Sequence, residues 1–282
     1  MTARIDLHLH TTASDGRFSP EEIVQLAAKL GLSAIAICDH DTVDGITPAL
    51  AAAEATPGLR VIPGVEVSTL APGSEVHVLG YFIKITDPGL KNALDGLRNS
   101  RQERAKAIIT KLKGLDIHID WQRVQELAGS GSIGRPHIAR AMLEKGYISY
   151  FKEAFDRYIG LGGPAYVERF KITPVEAVAL IIKASGLPVL AHPLTAGEPE
   201  AMIAGLKEAG LAGIEVYYDN YTENERASLA RLARKYNLIA TGGSDYHGLD
   251  DSAETMLGSA NVPPESLEQL IALARQRGLT IL

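Results

Sequence analysis

Two histidines one residue apart open the chain, in Ile5-Asp6-Leu7-His8-Leu9-His10. Alternate side chains of a β-strand share a face, so His8 and His10 point one way while Leu7 and Leu9 point the other. Two imidazoles so placed are close enough to hold one ion. Alone, the pattern reads equally well as two half-exposed strand histidines; repetition decides between the readings. Asp15 lies in the turn that follows, then come Asp39-His40, Glu66 and His77, then His192 in Ala191-His192-Pro193, and finally Asp245 and His247 in Ser244-Asp245-Tyr246-His247. Most of these stand at or near one end of an expected strand. Imidazoles and carboxylates without a thiolate suit divalent ions such as Mn²⁺, Fe²⁺ and Zn²⁺. The nine groups exceed what one ion can use; at three or four ligands each they serve two or three ions, with a carboxylate bridging neighbours. A cluster of that kind activates a water as hydroxide and clamps the attacking and leaving oxygens of a phosphoryl centre.

Such groups need a frame that gathers them, and the surrounding pattern is strand, ligand, helix, repeated. Strands are expected over residues 4–10, 33–38, 60–67, 75–82, 187–191, 213–218 and 238–241. The first helix shows its start in Ser19-Pro20-Glu21-Glu22, with Ser19 as N-cap and Glu22 completing a capping box, and its stop at Gly31. Apolar parallel strands alternating with amphipathic helices predict an α/β fold, either doubly wound or closed as a barrel. Ligands gathered beyond the carboxyl ends of different strands favour the barrel, with seven strands instead of the usual eight. From about residue 88 to 160 the pattern is helical, with helices expected over 90–113, 121–127, 136–145 and 150–158. The expected organisation is therefore a first barrel part over 1–98, a helical insertion over 99–164 above the barrel mouth as a substrate-binding cap, and a second barrel part over 165–282.

Of the 282 residues 46% are apolar, enough for a large core. No run reaches the ~18 apolar residues of a membrane helix, and no charged start with an apolar core marks a signal peptide, so a cytoplasmic protein without a membrane partner is expected. The single cysteine, Cys38, lies in an apolar run and reads as a core residue, in keeping with a reducing compartment. The net charge is −6, yet residues 98–171 hold 14 Lys and Arg against 8 Asp and Glu. A basic middle in an acidic body suggests a local anion-binding surface and not a coat for long duplex DNA, although solvated helix faces produce the same imbalance. Arg135 and His137 are the chosen phosphate contacts, because Arg135 stands at a helix start after Ser130-Gly131-Ser132-Ile133-Gly134. The competing reading is a surface arginine beside a capping histidine. Arg101 and Arg104 offer a second cationic patch, or a solvated helix face. Asp39 and Asp41 are expected to orient or cap, and His118 to be structural. Trp121, Tyr217 and Tyr218 could stack a base, though core packing is the better expectation.

The segments His8-x-His10, Asp39-His40, Ala191-His192-Pro193 and Ser244-Asp245-Tyr246-His247, with Glu66 and His77 between them, resemble the PHP (polymerase and histidinol phosphatase) family in order and local context. The resemblance covers the chain outside the helical middle. It implies a distorted (βα)₇ barrel, TIM-like, with a trinuclear centre that hydrolyses phosphoesters. It further implies a first metal on His8, His10, Glu66 and Asp245, a second on Glu66, His77 and His192, and a third on Asp15, His40 and His247. A metal-held hydroxide would be the nucleophile, with Asp15, Glu66 and His247 carrying catalysis. Some members place histidine where Asp15 stands, so the third site is harder; Mn²⁺ is expected first, with Fe²⁺ or Zn²⁺ as alternatives. The opening His-Leu-His-Thr-Thr-Ala-Ser-Asp-Gly and Gly134-Arg135-Pro136-His137 most resemble the 3′,5′-nucleoside bisphosphate phosphatases, some of which also degrade short RNA 5′→3′. A small nucleotide, with short RNA as a further substrate, is thus the implied partner. Three alternatives stand beside it: another PHP phosphatase acting on histidinol phosphate or a sugar phosphate, a metal-dependent amidohydrolase, and a non-catalytic metal-binding module.

Overall fold

The computed structural model describes residues 4–71, 74–129, 131–168, 172–248 and 256–281. Ser130 of the turn before Arg135 and Lys171 at the end of the basic stretch lie outside these ranges. The first half alternates as expected: β1 (Arg4–Leu9), α1 (Pro20–Lys29), β2 (Leu32–Ile37), α2 (Ile46–Glu54), β3 (Arg60–Ala71) and β4 (Ser74–Tyr81). Four helices follow among the described residues: α3 (Pro88–Lys113), α4 (Trp121–Ala128), α5 (Arg135–Glu144) and α6 (Phe151–Ala154). The alternation then resumes with α7 (Pro174–Lys183), β5 (Leu187–Leu190), α8 (Pro199–Ala209), β6 (Gly213–Tyr218), α9 (Glu223–Lys235), β7 (Ile239–Gly243) and α10 (Pro264–Gln276). The start of α1 has the capping box read from its sequence, Ser19 Oγ accepting the Glu22 N–H and Glu22 accepting the Ser19 N–H.

The strands form one sheet in the order β1-β2-β3-β4-β5-β6-β7. One expectation needs correction: the sheet is mixed, not parallel throughout. β4 runs antiparallel to both β3 and β5. Two residues separate β3 from β4, too few for the crossover that a parallel neighbour requires. This reversal explains why His77 lies early in its strand. The amino-terminal part of an antiparallel strand reaches the same rim as the carboxyl ends of its neighbours.

Beyond β7 the chain turns back on β1 and the sheet nearly closes. The Asp245 N–H donates to His8 O at 2.9 Å and the His10 N–H donates to Tyr246 O at 3.1 Å. Gly243 permits that approach, since a Cβ there would lie 2.5 Å from the His8 backbone nitrogen. Inside the sheet, Leu7, Ala36, Cys38, Ile62, Leu79 and Tyr81 pack with Leu267 and Leu270 of α10, whereas Leu9 packs with Ile35 and Ile37; the pairing irregularity between Asp6 and Leu9 thus separates two leucines expected on one face. The sheet's outer faces are covered by α1 and α2 on one side and by α3, α7, α8 and α9 on the other.

The helical stretch carries its own apolar cluster, including Ile108, Leu112, Val124, Ile138 and Met142. α3 joins the two cores. Its Leu90, Leu94 and Leu97 pack on the sheet, whereas Ala105, Ile108 and Leu112 pack among the helices. The boundary expected between residues 98 and 99 therefore falls inside one continuous helix, near the point where its apolar face changes partner. The helix expected over 150–158 is instead α6 followed by a π-helical turn, Phe155–Ile159.

Candidate metal centre

Alternation along β1 sends the His8 and His10 side chains to one point, where their Nε2 atoms are 3.1 Å apart. Asp245 Oδ1 approaches the same two nitrogens at 3.4 and 3.0 Å, and Glu66 Oε2 at 3.4 and 3.2 Å. Four ligand atoms around an ion at about 2.0–2.2 Å are spaced about 3.3–3.6 Å in a tetrahedron, so these four nearly enclose a cation. His10, Asp15, His40 and His247 form a second grouping, and His40, Glu66 and His77 a third. His192 joins through Nε2, 3.2 Å from Glu66 Oε1, the oxygen that also meets His77 Nδ1 at 2.8 Å. All nine residues are thus brought to one cluster at the barrel mouth, with Glu66 at its middle. Compared with the ligand sets implied by the resemblance, His10 also stands with Asp15, and His40 also approaches Glu66, at 2.9 Å.

The chemistry of this cluster is that of a cation site. Buried polar atoms normally find hydrogen-bond partners. Here His10 Nδ1, Asp15 Oδ1, His40 Nδ1, Glu66 Oε2 and His77 Nδ1 are buried and have none among the described residues, although they approach one another closely. Five lone-pair donors converging without hydrogen-bond geometry are what divalent ions would satisfy, and the residues fit such a group. Four more groups lock the ligands from behind. Glu215 Oε1 takes His8 Nδ1 at 3.0 Å while its Oε2 accepts the His192 N–H at 2.8 Å. The Tyr218 hydroxyl donates to Asp245 Oδ2 at 3.1 Å, so this tyrosine supports a ligand and is not only core packing. Asp6 accepts the Ser244 N–H and hydroxyl, tying β1 to the loop that carries Asp245. His247 Nδ1 and the Asp245 carbonyl are 2.8 Å apart, which leaves Nε2 for Asp15.

Sequence reasoning missed Glu215 and Asp6. The signal was present as an acid inside an otherwise apolar strand, Gly213-Ile214-Glu215-Val216 and Ile5-Asp6-Leu7. Asp39 and Asp41 hold the rim as expected. Asp39 accepts from the Thr11 N–H, the Thr11 hydroxyl and the Ser14 hydroxyl, fixing the turn before Asp15, and Asp41 accepts the Ser68 N–H. Asp41, His192 and Asp245 all have positive φ, at 54°, 28° and 55°. Backbone strain of this kind persists where surrounding contacts over-determine it, as they do here.

Burial opposes charge on His247, but the Asp15 carboxylate outweighs it and pushes the imidazole up to about 10. Burial likewise opposes charge on His8, His10 and His192, and neighbouring carboxylates again raise all three. Burial dominates His77 and lowers it to about 4. A metal needs the neutral imidazole, whereas the surrounding carboxylates favour the protonated form, most clearly at His247. Metal uptake is therefore expected to release protons at pH 7, with affinity rising as pH increases towards 10. Titration calorimetry in two buffers of different ionisation enthalpy reads this directly; uptake without proton release would contradict it.

Beside the cluster lies a cavity of about 100 Å³. Asp15, His40 and His77 line it together with Arg101, Arg104 and Arg135. Arg101 reaches it from α3, held by Asp41 and Ser68 at 2.6 Å each. Arg104 and Arg135 both meet Glu75. His137 is absent from this lining: its Nδ1 accepts the Gly134 N–H at 2.9 Å, capping α5 from within its first turn. The capping reading accounts for His137 Nδ1. His118 is exposed and belongs to none of the three groupings. Much of the remaining basic excess lies on solvated helix faces, in pairs such as Arg123–Glu144 and Lys152–Asp156.

A family profile described as the PHP domain matches residues 6–168. Over 251 residues the chain is 36% identical to a Haemophilus influenzae protein named 5'-3' exoribonuclease, covering 88% of this chain and 91% of that one. It is 31% identical over 267 residues to a 3',5'-nucleoside bisphosphate phosphatase of Chromobacterium violaceum, covering 93% of each. A structure described as a putative metal-dependent phosphoesterase from Bifidobacterium adolescentis superposes with a TM-score of 0.89 at 28% identity, covering 100% of this chain and 98% of that one.

Proposed function

The chain belongs to the PHP domain family, and we propose that within it this protein hydrolyses a phosphomonoester of nucleoside 3′,5′-bisphosphates, leaving a mononucleotide. The coarser statement, a metal-dependent phosphoesterase, rests on the family and its neighbours. One observation supports the finer one: candidate metal-ligand residues and three guanidiniums line a single cavity. A substrate with two phosphates offers one to each set. An amide or lactam carries no charge for the arginines to meet, which sets the phosphoester reading above the amidohydrolase one. The relatives at 36% and 31% identity are named for RNA and for bisphosphate substrates respectively. The 5′ end of a short RNA also carries adjacent phosphates, and a second reading is that it enters the same site.

His8, His10, Asp15, His40, Glu66, His77, His192, Asp245 and His247 would hold up to three divalent ions, Mn²⁺ before Fe²⁺ or Zn²⁺. When bound, these ions would supply the positive charge that neutralises the reacting phosphoryl oxygens and would acidify a water for in-line attack. The chain's own residues do the rest. Glu215, the Asp245 carbonyl and Thr195 face His8, His247 and His192 at Nδ1, so each presents Nε2 to the cluster. Arg101, Arg104 and Arg135 bind and orient the phosphate that is not cleaved. Their planar guanidiniums suit its oxygens better than ammonium groups would.

Two expected results follow from this division between ligand residues and guanidiniums. Release of inorganic phosphate should be faster, in kcat/KM, from a nucleoside 3′,5′-bisphosphate than from the matching 3′- or 5′-monophosphate. Equal efficiencies would remove the two-phosphate reading and leave the phosphoesterase. Arg135→Ala should lower kcat/KM about 10- to 100-fold on the bisphosphate, as loss of a charge-assisted contact does, and far less on p-nitrophenyl phosphate. Equal losses on both would put Arg135 at the reacting phosphate instead.

A further inference from the structure

Two of the arginines assigned to the uncleaved phosphate already meet an anion belonging to the protein. Glu75 Oε1 lies 3.1 Å from Arg104 Nη2, and its Oε2 accepts a short hydrogen bond from Arg135 Nη2. All three residues line the cavity that Asp15, His40 and His77 also line. Glu75 reaches it from the end of the β3–β4 hairpin, where it pairs with Leu70 beyond the stretch of β4 that pairs with β5. It precedes His77 by two residues and so shares its face, about 6.8 Å further along the strand.

Glu75 is not the sole contact of either arginine. The Arg104 Nε–H donates to Val167 O at 2.7 Å, and its guanidinium lies over the Tyr166 ring at 5.2 Å. Arg135 lies over the Phe155 ring at 5.7 Å, and its backbone begins α5. With Glu75 removed, Arg104 would keep its carbonyl and ring contacts and Arg135 its ring contact, and the two like charges would be left without the carboxylate between them. Burial and the nearby Arg135 already hold Arg104 below its ordinary value. Two neighbouring cations that line a cavity and share one carboxylate make a site for an exchangeable anion.

Resting on the two-phosphate reading above, we propose that Glu75 is a built-in substitute for the uncleaved phosphate, which the substrate must displace in order to bind. A carboxylate brings one negative charge and two coplanar oxygens. A phosphate dianion brings more charge and three tetrahedral oxygens, and can give each guanidinium its own partner. Glu75 thereby excludes small carboxylates and singly charged anions, and sets the affinity threshold for substrate.

The test uses the metal-loaded full chain, with inorganic sulfate as probe and binding read from the shift of the thermal transition. Glu75→Gln keeps the side-chain shape but removes the competing charge, and is expected to bind sulfate about tenfold more tightly than the natural protein. Glu75→Asp, whose carboxylate is withdrawn by one methylene, should also bind it more tightly. KM for a bisphosphate should fall in both variants. Adding Arg135→Ala to Glu75→Gln should abolish the gain. Unchanged or weaker sulfate binding in both single variants would overturn the proposal and make Glu75 a support for the arginines. A gain that survives loss of Arg135 would also overturn it, because the sulfate would then lie on the metal centre. Tighter sulfate binding in an enzyme that does not prefer bisphosphates would keep Glu75 as an exchangeable anion and remove the substrate reading. A bisphosphate preference without the sulfate gain would do the reverse.

Discussion

Glu66→Gln is expected to reduce kcat on the order of 10²–10³-fold or more, and to cost the protein at least one bound ion. Glu66 Oε2 lies 2.9 Å from His40, 3.2 Å from His10 and 3.4 Å from His8; Oε1 lies 2.8 Å from His77 and 3.2 Å from His192. One buried carboxylate therefore serves five imidazoles. Burial works against its charge, but His40, His77 and His8 hold it well below the usual carboxylate range. Glutamine preserves the shape but removes the negative charge, and turns one oxygen into an N–H donor facing imidazole nitrogens that would present lone pairs. Paired measurements of kcat and of metal content by elemental analysis read both effects. Near-normal turnover with full metal content would show that Glu66 does not bridge.

Glu215→Gln is the second change with a large expected effect, although Glu215 is not among the nine ligand residues. Its two oxygens meet the His8 imidazole at 3.0 Å and the His192 N–H at 2.8 Å, and the side chain is fully buried. A glutamine can present only one oxygen. Its amide would leave either the His192 N–H without an acceptor or His8 without the partner that fixes its tautomer. An orphaned buried group of this kind costs about 1–3 kcal/mol of stability. Metal affinity should fall about 10–100-fold, the usual cost of losing a partner behind a ligand. Glu215→Asp, which keeps the charge but shortens the reach, should lose less stability than affinity. Thermal melts of the metal-free protein, set against metal titrations, separate the two effects. A variant with unaltered metal affinity would show that His8 is oriented without Glu215.

The residues that gather in the cluster were legible because each is tied to a local element. The His-x-His of β1, the Asp-His after β2 and the Ser-Asp-Tyr-His after β7 all follow from where strands end. What depends on partners far away in the chain was not. The reversal of β4 is invisible to strand periodicity, which has no direction; only the two-residue link to β3 marks it. Glu215 lies within an apolar strand and gains its meaning from His8, 207 residues away. The arginines of α3 and α5 could be singled out by charge, but Glu75 could not, because nothing local shows that it meets both of them. Phe155 reaches the cavity through a π-helical turn that helical periodicity reads as ordinary helix. Aromatic residues considered for base stacking from the sequence, Trp121 and Tyr217, are absent from the cavity lining.

The most direct measurement is the number of divalent ions held by the full chain after loading with Mn²⁺ and removal of loosely bound metal, by elemental analysis against protein concentration. Three groupings around Glu66 and His10 predict two to three ions per chain in the natural protein, and fewer in Glu66→Gln. One ion or none in the natural protein would contradict the multinuclear centre from which the rest follows.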